Sequence, residues 1–329
     1  SVHYSMTMEG TIDSLGARIG HAVLRYGEVD MATRAINAQS LSVDSLYAAY
    51  IYPPAETAAD TPAPATAEAA ADSAMWTIRA DSIRLDGGHA LYALTGARPM
   101  PGLDMNYLQA DGVGILVTGF YNRGTSITVP LRRLHAVERS GLQLDADGTF
   151  MMDTAGMSAR DFSINTLHSS LHIDASAGIT PARPFETAPL SIDGRLQLGM
   201  ADVATAFPAL APMIRQLPQR TPLQAVISAD GRMDSLAIDT ARIWMQRVFD
   251  MAAAGRVVDM TDMNRISGRI GFRGSLSNTG FIKQTLFDAR MRRTVDLPPL
   301  SLRADIAMTR GTISGTMRAV TGSGRIALD

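Results

Sequence analysis

Apolar and polar residues alternate along several stretches of this chain. The clearest stretches are residues 4–12, 189–200, 266–272, 300–308 and 313–319. Side chains of a β-strand point to opposite faces in turn, so each stretch predicts a strand with one apolar face and one polar face. Between residues 104 and 177, Gly, Asn and Asp interrupt further candidate strands about every 8–12 residues. The pattern therefore predicts a mainly β fold.

Two segments have helical rather than alternating patterns. In residues 202–217, Val203, Phe207, Leu210, Ile214 and Leu217 fall on one helical stripe. The prolines at 208 and 212 favour a turn followed by a short helix that begins at Pro208. Residues 281–293 predict a second, weaker helix.

Two low-complexity segments divide the chain. Residues 53–73 contain no aromatic or large aliphatic residue, so we expect them to be exposed, mobile and dispensable. Three prolines in residues 181–189 mark another break. The predicted organisation is a β-rich segment at 1–52, an insertion at 53–74, and β-repeats at 75–180 and 181–329.

Composition narrows the possible functions. With 329 residues and 46% hydrophobic content, the chain is predicted to fold. Its net charge of -2 disfavours nucleic acid as a partner. Because it has no cysteine, it has neither a disulfide framework nor a thiol nucleophile. No motif for a cofactor is present, and none is predicted.

Candidate chemical groups are few. His135, Glu138 and Ser140 lie close in sequence, but no nucleophile-elbow motif accompanies them. His168 and His172 have the spacing of helical metal ligands, yet their surroundings predict a strand. The sequence around Asp145 and Asp147 lacks the later glutamate of a calcium loop. We predict neither an enzyme nor a metal site.

Several motifs, in their order along the chain, resemble a known family. They are Gly-Leu-Asp-Met-Asn-Tyr-Leu at 102–108, the segment 130–142, Leu-His-Ser-Ser-Leu at 167–171, the strand and helix within 196–239, and the Gly- and Ser-containing end at 314–326. Together with the strand that follows Trp76, they are similar to the TamB group of the AsmA-like proteins. Members of that family are longer, with an inner-membrane anchor before these motifs and an outer-membrane-directed domain after them.

The resemblance implies a curved antiparallel β-sheet that forms an elongated apolar groove with one or two short helices. It further implies a periplasmic, inner-membrane-anchored protein that carries phospholipid acyl chains and contributes to outer-membrane biogenesis. Its expected partners are phospholipid, the inner membrane through an N-terminal anchor, and an outer-membrane assembly protein through a C-terminal domain. The residues expected to line the groove are Leu190, Ile192, Leu196, Leu198, Ile266, Ile270, Phe272, Leu300, Leu302, Ile306, Met308, Ile313 and Met317.

A second hypothesis stays open at this stage. One-sided strands cover their apolar faces equally well with a second sheet. A structural or adhesive extracellular β-rich domain without a lipid role therefore remains the alternative. The 19 methionines fit either hypothesis, since flexible thioethers fill core gaps and also suit a surface for variable acyl chains.

Overall fold

The prediction of a mainly β fold is confirmed. A computed structural model describes residues 2–7, 14–52, 75–180, 187–232, 234–259, 265–280, 298–310, 312–322 and 324–328. The protein is mainly strand, at 72%, and its sheet structure is open, curved and largely antiparallel. Within the described residues it contains 17 strands and two short α-helices.

Two compact units make up the chain. Unit 1 comprises Ser1–Thr154, Asp161–Leu167 and Thr205–Pro208, and unit 2 comprises Ala155–Arg160, His168–Ala204 and Ala209–Asp329. The division falls near residues 155–168, before the proline-rich break at 181–189. That break connects two strands of unit 2 that pair with each other, so it does not separate units.

Unit 1 is built from long strands. Their bounds are β1 Val2–Thr7, β2 Ser14–Asp30, β3 Ala35–Tyr52, β4 Thr77–Leu94, β5 Tyr107–Arg123, β6 Ser126–Glu138 and β7 Gln143–Asp153. Each strand pairs with the next one in sequence. All of these pairs are antiparallel except β3–β4, which is parallel. The eighth strand, β8 Gly156–Asn165, contains the division between the units.

The parallel pair sets a distance that the connection between β3 and β4 must cover. Thr77 lies opposite Ala35 and Leu94 opposite Tyr52, so the chain travels the length of β4, ~55 Å, between Tyr52 and Thr77. Deleting residues 53–73 would leave only three residues, which reach ~14 Å. The expectation that this segment is dispensable is therefore wrong. Its predicted mobility concerns residues outside the described ranges.

A backbone irregularity at Ser45 changes the facing of residues in β3. Ser45 has a left-handed backbone with φ 60, while the register of β3 with β2 is the same before and after it, with Ile19 opposite Leu46 and His21 opposite Asp44. As a result, Val43 and Leu46 pack on the same cluster although they are three residues apart. That cluster centres on buried residues of β4, β5 and β6, namely Leu85, Val113 and Ala136.

Unit 2 is a meander of shorter strands. Their bounds are β9 Ser170–Ala177, β10 Pro189–Leu198, β11 Leu223–Arg232, β12 Ser235–Met245, β13 Phe249–Val258, β14 Ser267–Leu276, β15 Leu300–Thr309, β16 Thr312–Thr321 and β17 Gly324–Leu328. Successive strands pair antiparallel from β9 to β17. A bulge interrupts β12 between Ile238 and Ala241.

Two short helices follow β10. Helix α1 spans Met200–Ala206, a 3-10 turn covers Pro208–Leu210, and α2 spans Ala211–Ile214. The prediction placed a turn before Pro208 and a short helix from Pro208 onward. The structure instead has helix α1 before Pro208, and at Pro208 a 3-10 turn that leads into α2. Asp202 lies in the first turn of α1 and accepts a hydrogen bond from Ser169 Oγ at 2.6 Å. The candidate helix at 281–293 lies outside the described residues.

The core of unit 2 forms where these helices meet the sheet. Met200, Ile214, Met245 and Val248 are at most 3% exposed, and Val203, Leu217, Leu223 and Phe249 pack around them. Each of the large buried side chains contributes ~1.5–3 kcal/mol through the hydrophobic effect. Among the helices that the structure describes, none is long and apolar enough to cross a membrane.

Candidate functional site

The strand register of unit 2 assembles one continuous apolar face. Residues directly opposite each other in an antiparallel pair share a face, and following the partners from β9 to β17 gives five rows. The first row contains Leu198, Leu223, Met245, Phe249, Leu276, Leu300, Thr321 and Gly324; the second Leu171, Leu196, Ala225, Ile243, Met251, Gly274, Leu302, Ala319 and Ile326; the third Ile173, Gly194, Ile227, Ala241, Ala253, Phe272, Ala304, Met317 and Leu328; the fourth Ala175, Ile192, Ala229, Ile238, Gly255, Ile270, Ile306 and Gly315; the fifth Ala177, Leu190, Gly231, Leu236, Val257, Gly268, Met308 and Ile313. We call these five rows the apolar face.

The two faces of unit 2 differ in chemistry. Thr321 is the one polar side chain in the five rows. The opposite face carries the charged residues His172, Asp174, Asp193, Arg195, Asp230, Arg232, Arg242, Asp250, Arg256, Arg269, Arg273, Arg303, Asp305, Arg318 and Arg325. A difference this consistent over nine strands requires that the apolar face meets something other than bulk water.

The structure places the residues predicted to line a groove on this face. All of them except Ile266 occupy one of the five rows, and they are half-buried apart from Ile313, which is 72% exposed. Ile266 lies immediately before β14 and has no strand partner there. The structure thus brings these residues together on one surface, and their role in binding stays a prediction.

Sequence reasoning missed the part of the face that β11, β12 and β13 contribute. Ile227, Ile243 and Met251 lie in its central rows but were not among the predicted residues. The bulge after Ile238 breaks the alternation in β12, because two apolar residues on one face are three positions apart there. A search for alternation that allows one change of phase would have found this strand.

The apolar face is covered at one end and open in its middle. At the covered end, Met245 contacts α1 and α2 and is 1% exposed. Two residues earlier in the same strand, Ile243 is 39% exposed, as is Ile227 in the neighbouring strand. In the described parts of unit 2, α1, α2 and the turn at Val248 are the elements that cover this core end.

The size of the apolar face follows from its rows and strands. Rows are two residues apart along each strand, so five rows extend over ~27 Å. Adjacent strands are ~4.8 Å apart, which gives ~38 Å from β9 to β17. A single acyl layer of a bilayer is ~15 Å thick. The face is therefore long enough for whole acyl chains to lie along its strands.

Unit 1 also has apolar rows, but tyrosines and a glutamate occupy positions in some of its other rows. Ala22, Val43, Leu85, Ile115, Leu134 and Ala146 form one such row across β2 to β7. At the end of β3 and β4, the rings of Tyr50, Tyr52 and Tyr92 stack with centroids 4.7–6.5 Å apart. Burial and the neighbouring Tyr92 and Asp104 raise the pKa of Tyr52.

A buried carboxylate belongs to the same unit. Glu138 is 4% exposed and lies opposite Ala110, and one of its oxygens accepts the Ser140 N–H at 2.6 Å. The guanidinium of the next residue, Arg139, donates to the carbonyls of Met100 and Gly102. These contacts fix the loop between β4 and β5 to the end of β6, which gives residues 102–108 and 138–141 a structural role.

The three residues considered for a catalytic group do not form a triad. His135 and Glu138 are three positions apart in β6, without a bulge between them, so their side chains lie on opposite faces. His135 Nδ1 lies 2.9 Å from Asp145 Oδ1 on the polar face. The hydrogen bond to Glu138 uses the backbone of Ser140 and leaves its hydroxyl out.

The two histidines considered as metal ligands, His168 and His172, have different partners. The backbone N–H of His168 donates to Asp202, and His172 Nε2 lies 3.6 Å from Asp174. His172 is in β9, as the strand prediction required, and His168 precedes that strand. Asp145 and Asp147 are both in strand β7, where Asp145 lies opposite His135 of β6, so these residues belong to a strand and not to a calcium loop.

Comparison with known proteins was made at three levels. No family model, no curated protein and no solved structure matches this chain.

Proposed function

We propose that the apolar face of unit 2 binds the acyl chains of phospholipids. The observation that carries this proposal is the five-row face with a single polar side chain, which exposes Ile227 and Ile243 in its middle. Each methylene of an acyl chain that leaves water for such a face gains ~0.8 kcal/mol. Because glycine or alanine lies beside large apolar residues in the second to fifth rows, the surface there is uneven and offers shallow space between its side chains.

We further propose that the protein carries lipid within the periplasm as part of an inner-membrane-anchored, envelope-spanning chain that contributes to outer-membrane biogenesis. The support for this extension is the resemblance of residues 102–108, 130–142 and 314–326 to TamB and other AsmA-like proteins. In that setting the apolar face forms one section of a longer groove, and the polar face meets the aqueous space between the membranes.

Native mass spectrometry of the purified protein tests lipid binding directly. We expect phospholipid to remain bound to the wild-type chain. Leu196→Asp places a carboxylate in the second row, between Leu171 and Ala225, and should remove most of the lipid, since burying a charge among acyl chains costs several kcal/mol. Gln197→Asp adds the same charge one residue later on the polar face and should leave lipid binding unchanged.

Two outcomes would contradict the proposal. One is a wild-type protein that carries no phospholipid although it is folded by circular dichroism. The other is equal lipid content in the Leu196→Asp and Gln197→Asp variants. Either result would favour the structural or adhesive alternative, in which another protein surface covers the apolar face.

A further inference from the structure

The polar face of unit 2 has a concentration of arginines on its later strands. Arg256 of β13 lies directly opposite Arg269 of β14, and Arg273 of β14 directly opposite Arg303 of β15. Arg303 in turn lies opposite Arg318 of β16. Like charges in directly opposed positions destabilise a sheet, so folding of the sheet alone does not favour this arrangement.

These side chains are available for a ligand. Arg256, Arg269, Arg273 and Arg303 are all exposed, and within the described residues none of them forms an ion pair or a hydrogen bond with a carboxylate. Earlier strands of the same face differ. Arg232 pairs with Asp234 at 2.9 Å, and Arg242 with Asp250 at 2.5 Å.

A depression lies between the two arginine pairs. Ala254 and Gly271 are opposite each other in the row that separates Arg256 and Arg269 from Arg273 and Arg303. Because those two residues have almost no side chain, a hollow of about 430 Å³ opens above them, with Arg273 and Arg303 in its wall. Asp239 and Asp305 also line this hollow. We call the four arginines and this floor the arginine trough.

We propose that the arginine trough binds a phosphate group. Guanidinium groups present their N–H donors in a planar fork that matches the oxygens of phosphate, and arginines on both sides of a small-residue floor let one phosphate contact more than one fork. Asp305 lies opposite Gly271 in the floor row, and Asp239 lines the same hollow. A phosphate held by Arg273 and Arg303 therefore has carboxylates beside it and fits best when it carries a cationic or hydroxyl substituent that they can bind. This site lies on the face opposite to the proposed acyl-chain surface and is independent of it.

The phosphate has two possible sources, and the experiment separates them. Flotation with phosphatidylcholine vesicles, with and without phosphatidylglycerol, measures binding to lipid headgroups, while calorimetric titration with inorganic phosphate measures binding of the free ion. We expect Arg273→Gln and Arg303→Gln each to weaken the phosphate-dependent binding about tenfold, since a hydrogen bond to a charged group is worth about that factor. Binding should also weaken as salt rises, with a smaller slope in the variants.

Two matched variants make the test specific. Arg232→Gln removes the same charge from a paired arginine of the same face and should bind like wild type. Ala254→Leu fills the floor without changing any charge and should weaken binding as the arginine variants do. Leu196→Asp, which alters the apolar face, should leave the phosphatidylglycerol dependence intact and so keeps this proposal separate from that of acyl-chain binding.

The results assign the source or overturn the site. Binding to phosphatidylglycerol vesicles assigns the trough to headgroups, and binding of inorganic phosphate alone assigns it to the free ion. No binding of either probe by the folded protein would overturn the proposal. An equal loss of binding in Arg232→Gln and Arg273→Gln would also overturn the proposal, because binding would then depend on the net charge of the protein and not on the arginine trough.

Discussion

The covered end and the open middle of the apolar face contain similar residues in different surroundings. Met245 and Ile243 belong to the same strand and the same face, yet the first is 1% exposed and the second 39% exposed. At Met245, helices α1 and α2 complete a core with Ile214 and Val248. At Ile243 the neighbours are Ala225 and Met251 of the adjacent strands.

The two exposures point to two different reasons why a position in this face is apolar. The covered end is apolar because it is the core of unit 2, and its side chains stabilise the fold by leaving water. The open middle gains much less from folding, since its side chains keep part of their contact with solvent. The apolar character of the second, third and fourth rows is therefore better explained by a ligand than by the stability of the described residues.

The largest expected difference in stability is between a charge placed at Met245 and the same charge placed at Ile243. Met245→Asp should unfold unit 2, because an unpaired carboxylate in a closed core costs several kcal/mol against a typical total stability of ~5–15 kcal/mol. Ile243→Asp should fold and melt within a few degrees of wild type, since its side chain reaches water. Circular dichroism melting curves of the two variants measure this contrast.

Lipid content completes that comparison. The folded Ile243→Asp variant should have lost bound phospholipid in native mass spectrometry. If Ile243→Asp instead unfolded as cooperatively as Met245→Asp, the middle of the face would be a closed core and the distinction between the two places would fail.

An intermediate effect is expected at glycines of the open region. Gly255 lies in the fourth row with φ 155, and a Cβ there would overlap the carbonyl oxygen of Arg269 on the next strand. Gly255→Ala should therefore destabilise unit 2 by ~1–3 kcal/mol through backbone strain. This loss would arise from the backbone and not from side-chain burial, which distinguishes it from the effect at Met245.

Gly271→Ala is the matched control for that substitution. A Cβ at Gly271 would meet its nearest neighbour, Asp305 Oδ1, at an ordinary 3.6 Å, so the change should stay within ~0.5 kcal/mol. Urea unfolding of both variants measures the difference. Equal stability of the two would show that the sheet adjusts freely at Gly255.

The smallest effect concerns an ion pair on the polar face. The hydrogen bonds from Arg242, at 2.9 and 2.5 Å, lower the pKa of Asp250. A lowered pKa stabilises the fold above the unfolded value of ~3.9, and that contribution is lost as pH falls through the folded value. Since both side chains are more than 40% exposed, the contribution should be at most ~1 kcal/mol.

Asp250→Asn isolates this contribution. The substitution removes the charge of Asp250 but leaves Arg242 over the ring of Trp244, 4.7 Å from its centroid. We expect wild type to be slightly more stable than Asp250→Asn at neutral pH, and the difference to shrink as the pH falls below the unfolded value of ~3.9. A difference that grew on acidification would have the wrong sign for a lowered pKa.

The alternation of apolar and polar residues was sufficient to predict the regular strands but not the irregular ones. The predicted stretches at 189–200, 300–308 and 313–319 correspond to β10, β15 and β16. Strand β3 changes phase at Ser45 and strand β12 after Ile238, where a strict two-residue period fails. Local pattern does not encode such changes, because they depend on the pairing of the neighbouring strand.

Properties that depend on strand register could not be predicted at all. The parallel pairing of β3 with β4 joins residues that are 42 positions apart throughout, such as Ala35 and Thr77. The arginine trough likewise combines β13, β14 and β15, and its four arginines are dispersed over residues 256–303. Each residue alone is typical of a solvated strand face, and the cluster exists only after the strands are aligned.

A photo-activatable cross-linker at two adjacent positions tests the central claim most directly. Leu302 lies in the second row between Gly274 and Ala319, where small side chains leave space for an acyl chain, while Ser301 lies on the polar face. Neither residue belongs to the arginine trough. In living cells, the cross-linker at Leu302 should capture phospholipid and the one at Ser301 should not. Equal capture at the two positions, or capture of protein instead of lipid at Leu302, would contradict an acyl-chain-binding face.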